Sequence, residues 1–434
     1  MKRLVIKNGR VIDPSSGLDG LYDLYIYEGK VASLRPSGGS LEADEDWDVL
    51  DAKKMLVLPG LIDIHTHLRD PGYEYKETIA TGTMAAAAGG FTSIVCMANT
   101  NPVNDNGSVT RFILNRASEV GKVNVFPVGA ATRGLKGEMI SEMGELRDSG
   151  CVAVSDDGMP IIDGGLMRKV LEYSSVFDMP VISHCEDPCI VSDGVMNEGS
   201  TSTRLGLKGI PRAAEEAMVA RDIVLAELTR GRLHIAHIST RGSVELVRTA
   251  KDKGLSVTTE VTPHHFTLTD DSVVGYNTSA KMNPPLRDED DIEAILQGLK
   301  DRTIDCIATD HAPHSSIEKD LEFDRAANGV VGLETALSLT LRLVDRGFLG
   351  LSEAIERVTV GPATVLGLEK GTLKVGADAD ITIVDKDREW IVDSKLFFSK
   401  GRNTPFEGWG MKGKVVKTIV KGKVVYSLGS NLYY

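Results

Sequence analysis

Pro59-Gly60-Leu61-Ile62-Asp63-Ile64-His65-Thr66-His67-Leu68-Arg69 is the stretch on which the reading of this chain turns. Leu61 to His65 reads as a short strand that ends at a pair of histidines two residues apart. Side chains two apart on a strand share a face, so His65 and His67 can reach one metal ion from the strand's end. Taken alone, a His-x-His pair is more often an ordinary core or surface feature. The rest of the sequence has to decide.

Seven further apolar runs follow at strand length: Thr92–Met97, Val123–Val128, Val152–Ser155, Val181–His184, His234–His237, Ser256–Val261 and Ile304–Thr309. Between runs lie helix-patterned segments, among them Lys76–Ala88, Gly164–Phe177, Ala213–Leu228, Ser243–Lys253 and Asp290–Leu299. Strand-then-helix alternation implies a parallel sheet, and eight repeats favour a closed (β/α)8 barrel over an open doubly wound sheet. No glycine-rich dinucleotide fingerprint follows the first run, which also argues against the open sheet. The two ends are different in kind. Leu4–Val11 and Asp23–Leu34 at the start, and Ala379–Val384, Val415–Val420 and Lys423–Tyr426 at the finish, are β-rich. Asn8-Gly9, Glu28-Gly29 and Lys421-Gly422 read as hairpin turns, and residues 37–46 as an exposed loop. Too few strands stand at either end to bury a sheet face, so the expectation is one small β-sandwich domain from residues 1–57 and 367–434. The barrel, residues 58–366, is inserted into it.

The candidate chemistry collects at the ends of the runs. His184 closes the fifth, His237 the sixth, Asp310 follows the eighth, and Asp156-Asp157 follows the fourth. Barrel enzymes build their sites at the C-terminal ends of the strands, and all of these residues land there. Imidazoles with carboxylates and no thiolate suit a catalytic zinc ion. Such an ion would lower the pKa of a bound water to roughly 7. A carboxylate beside it, and Asp310 is so placed, could carry the water proton to a leaving nitrogen. The pattern does not choose between Asp156 and Asp157, since either could cap the following turn.

Composition narrows the classes. The 434 residues carry 49 Lys plus Arg against 62 Asp plus Glu, a net charge of −13, which argues against a general binder of nucleic acid or anionic membrane. A small anionic substrate needs only a local positive site. No stretch of about 18 uncharged apolar residues suggests a membrane span. Five scattered cysteines without a Cys-x-x-Cys pair read as free thiols of a cytoplasmic protein.

At these residues the chain resembles the amidohydrolase superfamily and, within it, the dihydroorotases. The first metal motif is Pro59 to Gly72; the later ones are Glu260-Val261-Thr262-Pro263-His264-His265, Lys281-Met282-Asn283-Pro284-Pro285-Leu286-Arg287 and Ala308-Thr309-Asp310-His311-Ala312-Pro313-His314. The resemblance implies zinc-dependent, reversible cyclisation of N-carbamoyl-L-aspartate to L-dihydroorotate, a step of pyrimidine biosynthesis. It implies His65, His67, Asp157, His184, His237 and Asp310 as metal ligands, with Asp310 also the catalytic acid and base. Val152 to Gly158 holds no lysine to bridge two metals, so one zinc is required and a second is allowed. Arg69, Asn99 and His314 are implied partners of the substrate carboxylate, and Asn283 a contact to its ring. Asn328 and Gly329 fall where relatives touch substrate. Two departures from the family pattern stand nearby: Ala98 where proline is usual, and Ala327-Asn328-Gly329 where Pro-Phe-Gly or similar is usual. His264 is the remaining histidine most expected to orient its surroundings. A homodimer and a complex with aspartate transcarbamoylase are the partner expectations. The alternatives are a hydantoinase- or allantoinase-like cyclic amidohydrolase, and a catalytically silent scaffold for that transcarbamoylase.

Overall fold

In the computed structural model, residues 3–38 and 47–429 are described, so most of the expected 37–46 loop lies outside the described residues. Eight parallel strands run in sequence order around the centre: Leu61–Thr66, Phe91–Cys96, Asn124–Ala130, Ala153–Ser155, Val181–Ser183, Leu233–Ile235, Val257–Val261 and Cys306–Ile307. Each falls on one of the eight apolar runs. The ring closes where Thr66 pairs with His311 just past the eighth strand and the His67 N–H donates to the His311 carbonyl at 2.8 Å. Asp63 braces the same seam, accepting from the Thr309 N–H at 3.0 Å and the Thr309 hydroxyl at 2.5 Å.

The end of the barrel away from the histidines is hydrocarbon. Ile62, Val95, Val128, Ala153, Ile182 and Cys306 from six strands form one cluster with Ala363, Val365 and Leu366 of the helix Val360–Leu366. That helix is tied to the start of the first strand by the Ile62 N–H donating to the Val358 carbonyl. Fully buried aliphatic side chains contribute about 1.5–3 kcal/mol each, so this plug can support charged groups at the opposite mouth.

The helix expected over Lys76–Ala88 begins at Ile79, because Thr78 caps it, its hydroxyl accepting from the Thr81 N–H. Its alanines follow from burial on two sides, by the barrel and by the terminal strands, where the Thr418 hydroxyl donates to the Ala87 carbonyl. Those strands form one hydrogen-bonded sheet in the order Lys423–Ser427, Gly410–Val420, Ile381–Ile391, Leu56–Pro59, Arg3–Asp13, Leu18–Tyr27, Lys30–Pro36, with Asp48–Asp51 beside Arg3–Asp13. Both chain ends therefore share one sheet, joined where Ile381–Val384 pairs antiparallel with Leu56–Pro59. Ile6, Val11, Leu24, Ile26, Val57, Ile381, Ile383 and Ile419 are its core.

One turn reading is corrected. Asn8-Gly9 is not a hairpin but a bulge inside the continuous strand Arg3–Asp13, with Asn8 at φ 63° and the register shifting between Ile6 and Gly9. A Cβ on Gly9 would meet Val57 at 2.4 Å, so glycine here serves close packing. Glu28-Gly29 (φ 51° and 77°) and Lys421-Gly422 (φ 46° and 73°) do turn hairpins, as the left-handed pair of a two-residue turn requires.

The segment after Ile391 docks on the barrel through Glu334, whose carboxyl accepts from the N–H groups of Phe398 (2.8 Å) and Ser399 (3.2 Å). Burial pushes this carboxyl up to about 8. Between its ordinary range and that value the folded chain holds a proton the unfolded chain lacks, so stability falls as pH rises through the window. Glu334→Gln keeps an acceptor oxygen and removes the titration. Denaturant unfolding should show the variant equal to wild type at about pH 4, below the window, and more stable at about pH 9.

Candidate active site

The histidine ends of the strands converge. His65 Nε2 lies 3.3 Å from Asp157 Oδ1 and 3.5 Å from Asp310 Oδ1; His67 Nε2 lies 3.0 Å from Asp310 Oδ1 and 3.6 Å from Asp157 Oδ2. His237 Nε2 is 3.6 Å from Asp157 Oδ1, and His184 Nδ1 is 2.9 Å from His237 Nε2. All six side chains are buried. Asp157, not Asp156, faces this cluster. Asp156 turns away to accept from the His184 N–H (2.9 Å) and the Ile161 N–H (2.8 Å), and burial pushes its carboxyl up to about 7.

The donors fit a divalent cation. Ligands about 2.1 Å from a tetrahedral centre stand about 3.4 Å from one another, which is the spacing seen here. His65 Nε2 is buried and has no hydrogen-bond partner among the described residues. Its other nitrogen, Nδ1, contacts Glu260 Oε1 at 2.5 Å, and Glu260 Oε2 contacts His234 Nε2 at 3.2 Å. A carboxylate only accepts, so His65 carries a proton on Nδ1, which leaves Nε2 as the atom that would ligate a cation in the cage. His67 is set the same way, its Nδ1 meeting Asn99 Oδ1 at 2.9 Å. Burial opposes charge at Glu260, but His65 and His234 hold its carboxyl at about 2. Burial likewise opposes charge at Asp310, and His65, His67 and His237 hold its carboxyl well below the usual range. Burial opposes charge on the imidazoles, yet Glu260, Asp157 and Asp310 raise His65 well above its ordinary range, and Glu186 with Asp157 raises His184 to about 9. A cation in the cage would take the place of those protons. Two donor groups, His65–His67–Asp310 and His65–Asp157–His237, share His65, while His184 meets the second through His237; a third group, His234–Glu260–Cys306, lies beside them.

A cavity of about 230 Å³ opens over the cluster, lined by His67, Arg69, Asn99, Asp157, Gly158, His184, Glu186, His237, Asn283, Asp310, Ala312, Asn328 and Gly329. Of the expected substrate contacts, Arg69, Asn99, Asn283, Asn328 and Gly329 are therefore brought together. His314 stands behind Arg69, its Nε2 3.5 Å from an Arg69 terminal nitrogen and its Nδ1 3.5 Å from Lys76 Nζ. Burial, Arg69 and Lys76 hold its imidazole down at about 3, so it is neutral at ordinary pH. Asn99 has a second task, because its Nδ2 reaches Asp157 Oδ2 at 3.4 Å while its oxygen fixes His67.

Several residues escaped the sequence reading. Glu260 and Glu186 were within motifs or beside a predicted ligand, and an acidic residue two places from a metal-type histidine was the available signal for Glu186. His265, not His264, makes the orienting contacts, through Thr262 Oγ1 (2.7 Å) and the Pro284 carbonyl (2.9 Å), whereas His264 Nε2 is partnerless among the described residues. The loop 324–329 is held by two ammonium groups. Lys281 Nζ donates to the Asp324 and Ala326 carbonyls, and Lys319 Nζ to those of Lys281, Ala327 and Gly329. Lys319→Met removes those donors while keeping the stem. It should loosen Asn328 and Gly329 and raise KM about tenfold, consistent with about 1.5–3 kcal/mol for hydrogen bonds to a charged group shared between loop order and binding. Steady-state kinetics check this.

The profile of the Dihydro-orotase-like family matches residues 54–243, and that of the Amidohydrolase family matches residues 203–426. A dihydroorotase of Geobacter metallireducens is 56% identical over 423 residues, covering 98% of this chain and 99% of its own. One of Syntrophotalea carbinolica is 54% identical over 426 residues, at 98% and 99% coverage. Among solved structures, L-hydantoinase (dihydropyrimidinase) from Arthrobacter aurescens superposes with a TM-score of 0.87 at 26% identity, covering 99% of this chain and 97% of that one. Dihydropyrimidinase from Brevibacillus agri gives 0.85 at 24% identity, over 98% and 95%.

Proposed function

The chain belongs to the dihydroorotase family of cyclic amidohydrolases, and from that premise we propose that it closes N-carbamoyl-L-aspartate to L-dihydroorotate and reopens it. The observation that carries this reading is Arg69. Arg69 lines the cavity beside the donor cage, and Asp310, Asp157 and Glu318 act on its charge from beyond ion-pair distance among the described residues. A cation so placed calls for an anionic ligand, and dihydroorotate carries its carboxylate next to the ring that opens.

His65, His67, Asp157, His184, His237 and Asp310 would hold the metal, which we take to be zinc from the imidazole and carboxylate donors. Bound there, the cation would supply Lewis acidity toward the scissile carbonyl and acidify water. Glu260 and Asn99 orient His65 and His67. Arg69 and Asn99 bind the substrate carboxylate, with His314 backing Arg69 in place of the direct contact the resemblance implies, and Asn283, Asn328 and Gly329 hold the ring. In ring opening, water adds to the ring carbonyl carbon, Asp310 takes the water proton, the carbon–nitrogen bond breaks, and Asp310 delivers that proton to the leaving nitrogen. Closure is the reverse and takes up a proton overall. Purified protein with zinc should therefore close N-carbamoyl-L-aspartate at mildly acidic pH and open dihydroorotate at alkaline pH. No turnover in either direction, with metal content confirmed, removes the reading.

Division of the chain into a unit from both ends, residues 1–57 and 367–434, and an inserted barrel is supported by the sheet that both ends share, whose strand Leu56–Pro59 runs two residues past the 57/58 boundary. A cytoplasmic site is supported by five free thiols, four of them buried. No helix among the described residues is long and apolar enough to cross a membrane. A homodimer, alone or docked with aspartate transcarbamoylase, rests on the family resemblance; sedimentation of the chain with and without that enzyme checks it.

A further inference from the structure

Glu186 follows the fifth barrel strand, in His184-Cys185-Glu186, and lines the cavity with no role in the chemistry above. One oxygen, Oε2, accepts from Asn283 Nδ2 at 2.9 Å. The other, Oε1, is shut off from solvent and has no hydrogen-bond partner among the described residues. Arg69 lines the same cavity, yet no ion pair joins the two among the described residues.

We propose that Glu186 is a specificity-determining residue whose carboxylate, once ligand displaces the packing that covers Oε1, accepts from the terminal NH2 of the substrate's ureido group. The assignment rests on the function proposed above. A buried acceptor left unpaired costs about 1–3 kcal/mol, so it is a place where a matching donor is rewarded and its absence penalised. A carboxylate has no proton to offer, so Asn283 must turn its NH2 toward Glu186 and its amide oxygen is left as a second acceptor. Ureido nitrogens supply donors, and the substrate's own carboxylates do not. An acceptor-only wall at Glu186 repels a carboxylate, which leaves Arg69 to take it. Carboxylate and ureido group are thereby sorted to different walls of the cavity.

N-acetyl-L-aspartate keeps both carboxylates and one N–H of N-carbamoyl-L-aspartate but carries a methyl in place of the terminal NH2. Calorimetry at alkaline pH, where the open form persists, should show wild-type protein preferring the carbamoyl compound by about 10–100-fold, the range of a hydrogen bond to a charged group. In Glu186→Ala the preference should collapse toward unity with affinity for the acetyl compound little changed and metal content intact. Glu186→Gln fills the same space and should also lose most of the preference, because one amide oxygen cannot serve both Asn283 and ligand. Retention of the preference in both variants overturns the assignment. So does loss of metal from them, which would mean that Glu186 acts through His184, whose Nε2 is 3.6 Å from Oε2. A metal-loaded wild type that turns over neither ring nor open form overturns the functional reading and this assignment together, whereas an active wild type with unaltered variants overturns this assignment alone.

Discussion

Asp310→Asn is expected to lower kcat by about 10²–10⁴-fold in both directions, the range for removing a general acid–base. The side chain stands just past the eighth strand at φ 47°, a left-handed backbone that a non-glycine residue adopts only when its surroundings impose it. Those surroundings are the Thr309–Asp63 contacts before it and the Thr66–His311 bridge after it. They put Oδ1 3.0 Å from His67 Nε2 and 3.5 Å from His65 Nε2, inside the cavity. Asparagine keeps the shape and can still offer an oxygen to a cation, but it cannot take up a proton. The two roles of Asp310 separate in one experiment. Variant protein that retains its metal with KM near wild type and kcat collapsed has lost the proton carrier. Metal lost in step with activity makes Asp310 chiefly a ligand, and retained kcat with retained metal removes it from the chemistry.

The fold was legible because each barrel strand is a short apolar run and each run is an independent signal; the eight runs and the eight strands coincide. The donor cage was legible for a related reason. Barrel topology carries the end of every strand to one mouth, so His65, His184, His237 and Asp310 could be gathered without knowing any distance. What stayed hidden depends on pairs that the topology does not specify. Glu260 meets His65 across 195 residues and Asn283 meets Glu186 across 97, and no local pattern marks either pairing. His264 and His265 are equivalent in sequence, and the Pro284 carbonyl, 19 residues on, decides which is anchored. Asn8-Gly9 failed differently: a bulge and a hairpin turn ask for the same left-handed residues, and packing against Val57 chose the bulge.

Arg69→Met is expected to raise KM for dihydroorotate by about 10²-fold or more while leaving an uncharged cyclic amide nearly unaffected. Removing one partner of a desolvated charge pair costs about 2–5 kcal/mol, and each 1.4 kcal/mol is tenfold. Arg69 has the profile of a charge suited to an anionic partner. Burial lowers its pKa against the pull of Asp310, Asp157 and Glu318, its Nε is buried with no hydrogen-bond partner among the described residues, and the side chain that contacts its terminal nitrogen is the neutral His314. That arrangement strains the free protein, so the methionine variant should unfold no more easily than wild type, which chemical denaturation can check. The same experiment arbitrates between dihydroorotase and the hydantoinase-like alternative. The barrel and the shared β-sheet are common to both, as the superposition on L-hydantoinase at 26% identity makes plain, so fold carries no weight in the choice. Pocket charge does. An uncharged ring gives a guanidinium nothing to hold, and a variant that impairs charged and uncharged rings equally would make Arg69 a structural residue and return the alternative to first place.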